Sequence, residues 1–160
     1  MAGMMPTFQI LEFAHVLGAV TILGTGMGIA FFMVMAHRTG DARHIALTAS
    51  AVVVADAVFT APAVLAQPMT GFMLLRERGW AVVEDWVLAT LVLYGVAAMA
   101  WLPVVRMQIQ MRCIAREAAA VGWPLPASYH RLYRLWVVAG IPGFGSVLVI
   151  LWLMLAKPSL

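Results

Sequence analysis

The stretch Phe8–Met35, FQILEFAHVLGAVTILGTGMGIAFFMVM, decides what kind of protein this is. Its only carboxylate is Glu12 and its only imidazole is His15. At ~1.5 Å per residue it exceeds the roughly 20 residues that cross ~30 Å of hydrocarbon as a helix. Three further runs read the same way, about 45–75, 86–105 and 135–156, and in the second Asp56 is the only formal charge. The runs are continuously apolar rather than alternating and too few to close a barrel, so strands are excluded. The expected fold is all-α: one integral membrane four-helix bundle occupying the whole chain as a single transmembrane domain.

Composition leads to the same place. The apolar share is 64% and the charged share 11%, against about 45–50% and 25% in soluble domains. Seventeen charged side chains cannot cover a domain of 160 residues with charge, whereas lipid contact lets apolar residues face outward. The formal net charge of +3 comes from basic residues in short runs between apolar stretches, a membrane-topology pattern and not a nucleic-acid patch. A single cysteine, Cys113, excludes an internal disulfide and a thiolate metal cage. The opening Met1–Pro6 has no basic run, and the apolar stretch after it is too long for a removable signal peptide.

The connections give topology. His37–His44 reads as a polar turn with a glycine stop, Arg76–Gly79 as another, and 106–134 as the longest polar stretch, its beginning prolonging the third helix. Arg38, Arg43, Arg106, Arg112, Arg116, Arg131 and Arg134 gather on one side; the other has Arg76, Arg78 and Lys157. The positive-inside rule puts the first side in the cytoplasm of a bacterial inner membrane and both termini outside. Trp80, Trp86 and Trp152 then lie near the outer boundary, where interfacial aromatics belong.

Polar side chains inside spans are costly and are functional candidates by default. Depth along the helices puts His15, Gln67 and Thr70 in one layer of the outer half, with Ala89–Leu93 of the third span at that level. Glu12, three residues before His15, is placed to orient the imidazole, and a neutral imidazole in a dry bundle is a ready axial ligand for haem iron. Asp56 lies deeper, level with Gly26 and Trp101; it reads as a proton-relay group or as a structural hydrogen bond to Thr25 or a Trp, with Arg106 the nearest basic residue. Gly24 and Gly28 form a G-x-x-x-G pair suited to close helix packing within or between chains. Pro62, Pro68 and Pro142 release backbone carbonyls. His37 and His44 sit in a solvated turn with no partner at zinc-ligand spacing. No phosphate loop or nucleophile elbow occurs.

The run Phe13-Ala14-His15-Val16-Leu17-Gly18, with Gly24-Thr25-Gly26, Ala36-His37-Arg38, Phe59-Thr60-Ala61-Pro62, Gln67-Pro68-Met69-Thr70-Gly71, Trp101-Leu102-Pro103 and Ala156-Lys157-Pro158, resembles a bacterial family of small predicted integral membrane proteins of unknown function. A more distant resemblance is to HemJ-type protoporphyrinogen IX oxidases, through His15, Thr60-Ala61-Pro62 with Gly71, Arg131-x-x-Arg134, Pro142 and Lys157-Pro158. It implies b-type haem with His15 as axial ligand, redox or electron-transfer work, and a porphyrin or quinone as partner. The HemJ pattern has a lysine early in its third span; here the corresponding residues are Trp86–Leu91 and the only lysine is Lys157. CopD-like copper-resistance membrane proteins share the loose four-helix features. The alternative expectation is therefore non-enzymatic: a small permease for copper or another solute, or an assembly partner, possibilities that include a homo-oligomer.

Overall fold

The structure, a computed structural model, describes residues 4–158, so Met1–Gly3 of the opening segment lie outside the described residues. The helices are α1 (Met4–Thr39), α2 (Ala42–Ala55), α3 (Ala61–Arg78), α4 (Asp85–Val121) and α5 (Ala127–Ala156), and a π-helical turn, Asp56–Thr60, joins α2 to α3 without a break. Four rods result, 7–39, 42–78, 85–121 and 127–156, each long and apolar enough to span a membrane. No strand occurs among the described residues.

The breaks have local causes. Gly40, Gly79 and Gly122 end their helices with φ of +67°, +69° and +69°, where a Cβ would be strained. Asp41 starts α2 as its N-cap, its carboxylate accepting from the backbone N–H groups of Arg43 and His44. Pro124 and Pro126 then keep the chain extended until α5 begins at Ala127.

The connections are shorter than the sequence led us to expect. The polar turn expected at 37–44 contracts to Gly40 and Asp41, because α1 continues through Thr39. α4 runs to Val121, and α5 begins eight residues before the expected 135. Rods of 30 to 37 residues are about 45–55 Å long, so the arginine-rich ends project from the ~30 Å hydrocarbon layer as helix and not as loop. The expectation that His37 is solvated also fails. It lies in the last turn of α1, half-buried, with its ring stacked on Tyr133 at 3.6 Å between centroids and 7° between planes.

The tightest packing lies at this arginine-rich end. Met33 and Ala36 of α1, Ile45 and Ala49 of α2, Met111 and Ala115 of α4, and Tyr129 of α5 have no exposed surface. Their spacings of three and four residues put one stripe of each helix toward the others. Elsewhere many large apolar side chains point outward, Phe13 at 67% exposure and Val92 at 67%, which only lipid contact makes favourable.

The second rod is irregular at its centre. Pro62 has no N–H and its ring crowds the carbonyl one turn back. The helix widens just before it, so that the Ala61 N–H bonds the carbonyl of Asp56, five residues earlier. Asp41→Ala should lower the stability of the detergent-solubilised protein by about 1 kcal/mol, while Asp41→Asn, which keeps the capping oxygen, should melt within a degree or two of the parent in a thermal scan.

Candidate functional site

α1 and α3 run antiparallel and meet in the half of the bundle that holds the start of α1 and the end of α5. Two glycines permit the approach. A Cβ on Gly18 would stand 2.3 Å from the Gln67 amide nitrogen, and one on Gly71 would stand 3.2 Å from His15 Cε1. Into that contact the helices direct three polar side chains: His15 from α1, Gln67 and Thr70 from α3. The expected layer of His15, Gln67 and Thr70 is therefore assembled as a set of direct contacts.

Gln67 Nε2 donates to the backbone carbonyl of His15 at 2.7 Å. Thr70 Oγ1 lies 2.8 Å from His15 Nδ1, and the same hydroxyl reaches the carbonyls of Ala66 at 2.8 Å and Gln67 at 3.2 Å. A threonine hydroxyl has one proton. Directed to a carbonyl of its own helix, as geometry favours for threonine, it can only accept from the imidazole. The neutral ring then has its proton on Nδ1, and Nε2 presents a bare lone pair. No other hydrogen bond reaches His15 from the described residues.

Glu12 does not join this arrangement. Instead of orienting the imidazole it pairs with Arg78 at 3.8 Å, both side chains about half exposed. The cause is position: Glu12 faces the rim, where a guanidinium is in reach. Arg78 also lies over the rings of Phe8 (4.5 Å) and Trp80 (5.6 Å), and Lys157 over Trp80 (4.6 Å). Trp80 and Trp86 meet edge to face at 5.4 Å. This cationic and aromatic ring has the composition of a bilayer boundary.

Three residues of α4 belong to the interior, and of these Tyr94 and Thr90 were not singled out by the sequence reading of the site. Tyr94 donates its hydroxyl to the carbonyl of Val64. Val64 is four residues before Pro68, which has no N–H to offer it, so the tyrosine supplies the missing donor. The rule that an intrahelical proline orphans the carbonyl four residues earlier could have pointed to such a partner. Thr90, one turn from Tyr94, is 8% exposed and its hydroxyl has no partner among the described residues. Trp101 donates Nε1 to Asp56 Oδ1 at 3.3 Å, which realises the expected Trp contact of that aspartate.

Gly24 and Gly28 have no atom within 4 Å of where a Cβ would stand, so the G-x-x-x-G pair does not pack against another helix of this chain. Among the described residues no three His, Cys, Asp or Glu side chains gather as a metal-binding group. Two surface hollows lie at the helix ends, one beside Glu84 and Lys157 and one beside Gly40 and Trp123.

The family model described as "Predicted integral membrane protein (DUF2269)" matches residues 9–158, and the chain belongs to that family. No curated protein and no solved structure matches the chain.

Alanine substitutions separate the working glycines from the idle ones. Gly→Ala in a helix interior gains ~0.5–1 kcal/mol of helix propensity, and Gly24→Ala should show that gain. Gly18→Ala displaces the Gln67 amide and Gly71→Ala presses on the imidazole, so each should fall about 1 kcal/mol below Gly24→Ala. Melting of the three variants in one detergent measures the difference; equal values would mean that the α1–α3 contact is not formed.

Proposed function

We propose that this chain is a membrane-embedded redox or electron-transfer protein that binds b-type haem through His15 Nε2. The observation that carries the reading is the double role of Thr70. By giving its proton to its own helix and accepting from Nδ1, it orients the ring and leaves Nε2 as the free donor, the arrangement that supports a histidine ligand to iron. The HemJ-type resemblance points to the same atom. His15 is half-buried and lies about 12 Å along the rod that starts at Thr7, at ~1.5 Å per residue.

The donor set fits iron with one ligand from this chain. The other histidines, His37, His44 and His130, stand at the arginine-rich end of the helices, and no lysine occupies the start of α4. Bound haem would supply one-electron chemistry. The chain's part is positional: Thr70 holds the ring's tautomer, Gln67 holds the backbone beneath it, and the surrounding helices keep water away. Glu12 and Arg78 form the rim above. Porphyrin oxidation with a quinone as acceptor is the form of this chemistry that the resemblance implies. The seven-to-three distribution of basic residues supports both termini on the outer side of a bacterial inner membrane, with His15 in the outer half.

One observation favours a second reading, a non-enzymatic assembly partner: the glycine pair on α1 is left uncovered by the chain itself. The two readings differ in colour. Protein purified from haem-replete cells should have a Soret band that His15→Ala removes. Thr70→Val should weaken haem binding about 10–100-fold, and Glu12→Gln should leave it unchanged. A colourless wild-type preparation with a normal melt would reject the haem reading.

A further inference from the structure

Asp56 and Thr60 take no part in the site described above. Both are buried, 4% and 5% exposed, at the centre of the second rod. Thr60 is 18 residues from each end of that rod, so at ~1.5 Å per residue it lies about 27 Å from either end and near the bilayer midplane. An uncompensated charge at this depth is among the costliest features a membrane protein can have.

Asp56 has no counter-charge. Among the described residues the one ion pair joins Arg78 to Glu12, and Arg106, the basic residue expected nearest, makes none. A carboxylate has about four acceptor sites; among the described residues the only hydrogen bond that reaches this side chain is that of Trp101 Nε1, on one oxygen. Thr60 lies four residues on, close to one turn of the same π-helical segment and buried like Asp56, and its hydroxyl oxygen has no partner among the described residues. Pro62, lacking an N–H, leaves a further carbonyl in this turn without its backbone donor.

There is also room. Gly26 lies eleven residues beyond His15, close to three helical turns, and therefore on the face of α1 that meets the second rod. No atom lies within 4 Å of where its Cβ would stand. The register set by the His15–Gly71 and Gly18–Gln67 contacts, continued along the rods, brings Gly26 to the level of the π-helical turn.

A carboxylate, an unpartnered hydroxyl and a widened helix turn next to open space form an oxygen-rich site that lacks positive charge. Irregular helices at the midplane use released carbonyls to hold small cations, intramembrane carboxylates mark ion and proton pathways, and π-helical turns concentrate at functional positions. We propose that Asp56, Thr60 and the π-helical turn between them form a mid-membrane exchange site for a monovalent cation, either a proton or a sodium ion. The Trp101 indole holds one carboxylate oxygen, and the other faces the cation together with Thr60 Oγ1. The haem reading plays no part in this assignment.

A hydrophobic carbodiimide tests it, because that reagent modifies carboxyl groups that carry a proton in apolar surroundings. The purified full-length chain without added haem, in detergent, is treated at several pH values in sodium chloride or choline chloride, and the adduct is located by peptide mass. The expected result is modification of Asp56, absent in Asp56→Asn, with a rate changed at least threefold by Thr60→Val. Slower labelling in sodium than in choline assigns the site to sodium as well as the proton; equal labelling assigns it to the proton alone. The proposal is overturned if Asp56 stays unmodified in both salts at the lowest pH that leaves the protein folded, or if Thr60→Val labels at the parent rate in both. The wild-type adduct carries the test even where Asp56→Asn fails to fold.

Discussion

Lipid donates no hydrogen bonds, and each backbone or side-chain polar group left unpaired in it costs several kcal/mol. That constraint decides where the proton of Thr70 goes, and the rest of the site follows from it. The hydroxyl has a carbonyl of its own helix within 2.8 Å and an imidazole nitrogen at the same distance, and it satisfies both only by donating to the first and accepting from the second. One hydroxyl thereby fixes a ring on a neighbouring helix, its tautomer and the direction of its lone pair.

The same bookkeeping organises the bundle elsewhere. Thr21, Ser50 and Ser146 return their hydroxyl protons to carbonyls four residues earlier, Leu17, Ala46 and Pro142. Pro68 orphans Val64, and Tyr94 crosses from α4 to supply the donor. Pro62 has no such rescuer, and there the helix widens into a π-helical turn. Against these terms the exposed Arg78–Glu12 pair contributes little, since half-exposed ion pairs give about 0–1 kcal/mol. What ties α1 to α3 is the close contact at Gly18 and Gly71 with the hydrogen bonds it shelters. Among the described residues, the idle glycine pair on α1 and buried unpartnered atoms such as Thr60 Oγ1, Thr90 Oγ1 and Gln108 Oε1 are where the accounting does not close.

The four spans were legible in the sequence because apolar run length is a one-dimensional property. The shared level of His15, Gln67 and Thr70 was legible for a related reason, since depth along a rod needs only a rise per residue. Rotation about the rods was not. It sends Glu12 to the rim with Arg78, three residues from an imidazole it does not touch, and it turns Gly24 and Gly28 away from the other helices. Of the helix ends beyond the lipid, the prolongation of the third span was legible, whereas α1 and α5 extend through residues whose polarity reads as loop while their backbone bonds remain helical; His37, stacked on Tyr133, is the clearest case. The π-helical turn left only the trace of Pro62 two residues past Thr60.

The direction of the His15 lone pair is open to direct observation. Nitrogen-15 solid-state NMR of the chain in lipid, labelled at histidine and without added haem, distinguishes a protonated ring nitrogen from a bare one. The account predicts a neutral His15 with the proton on Nδ1, an unprotonated Nε2, and a contact between Nδ1–H and the Thr70 hydroxyl that Thr70→Val removes. A proton on Nε2 instead, with Nδ1 accepting from Thr70, would contradict it.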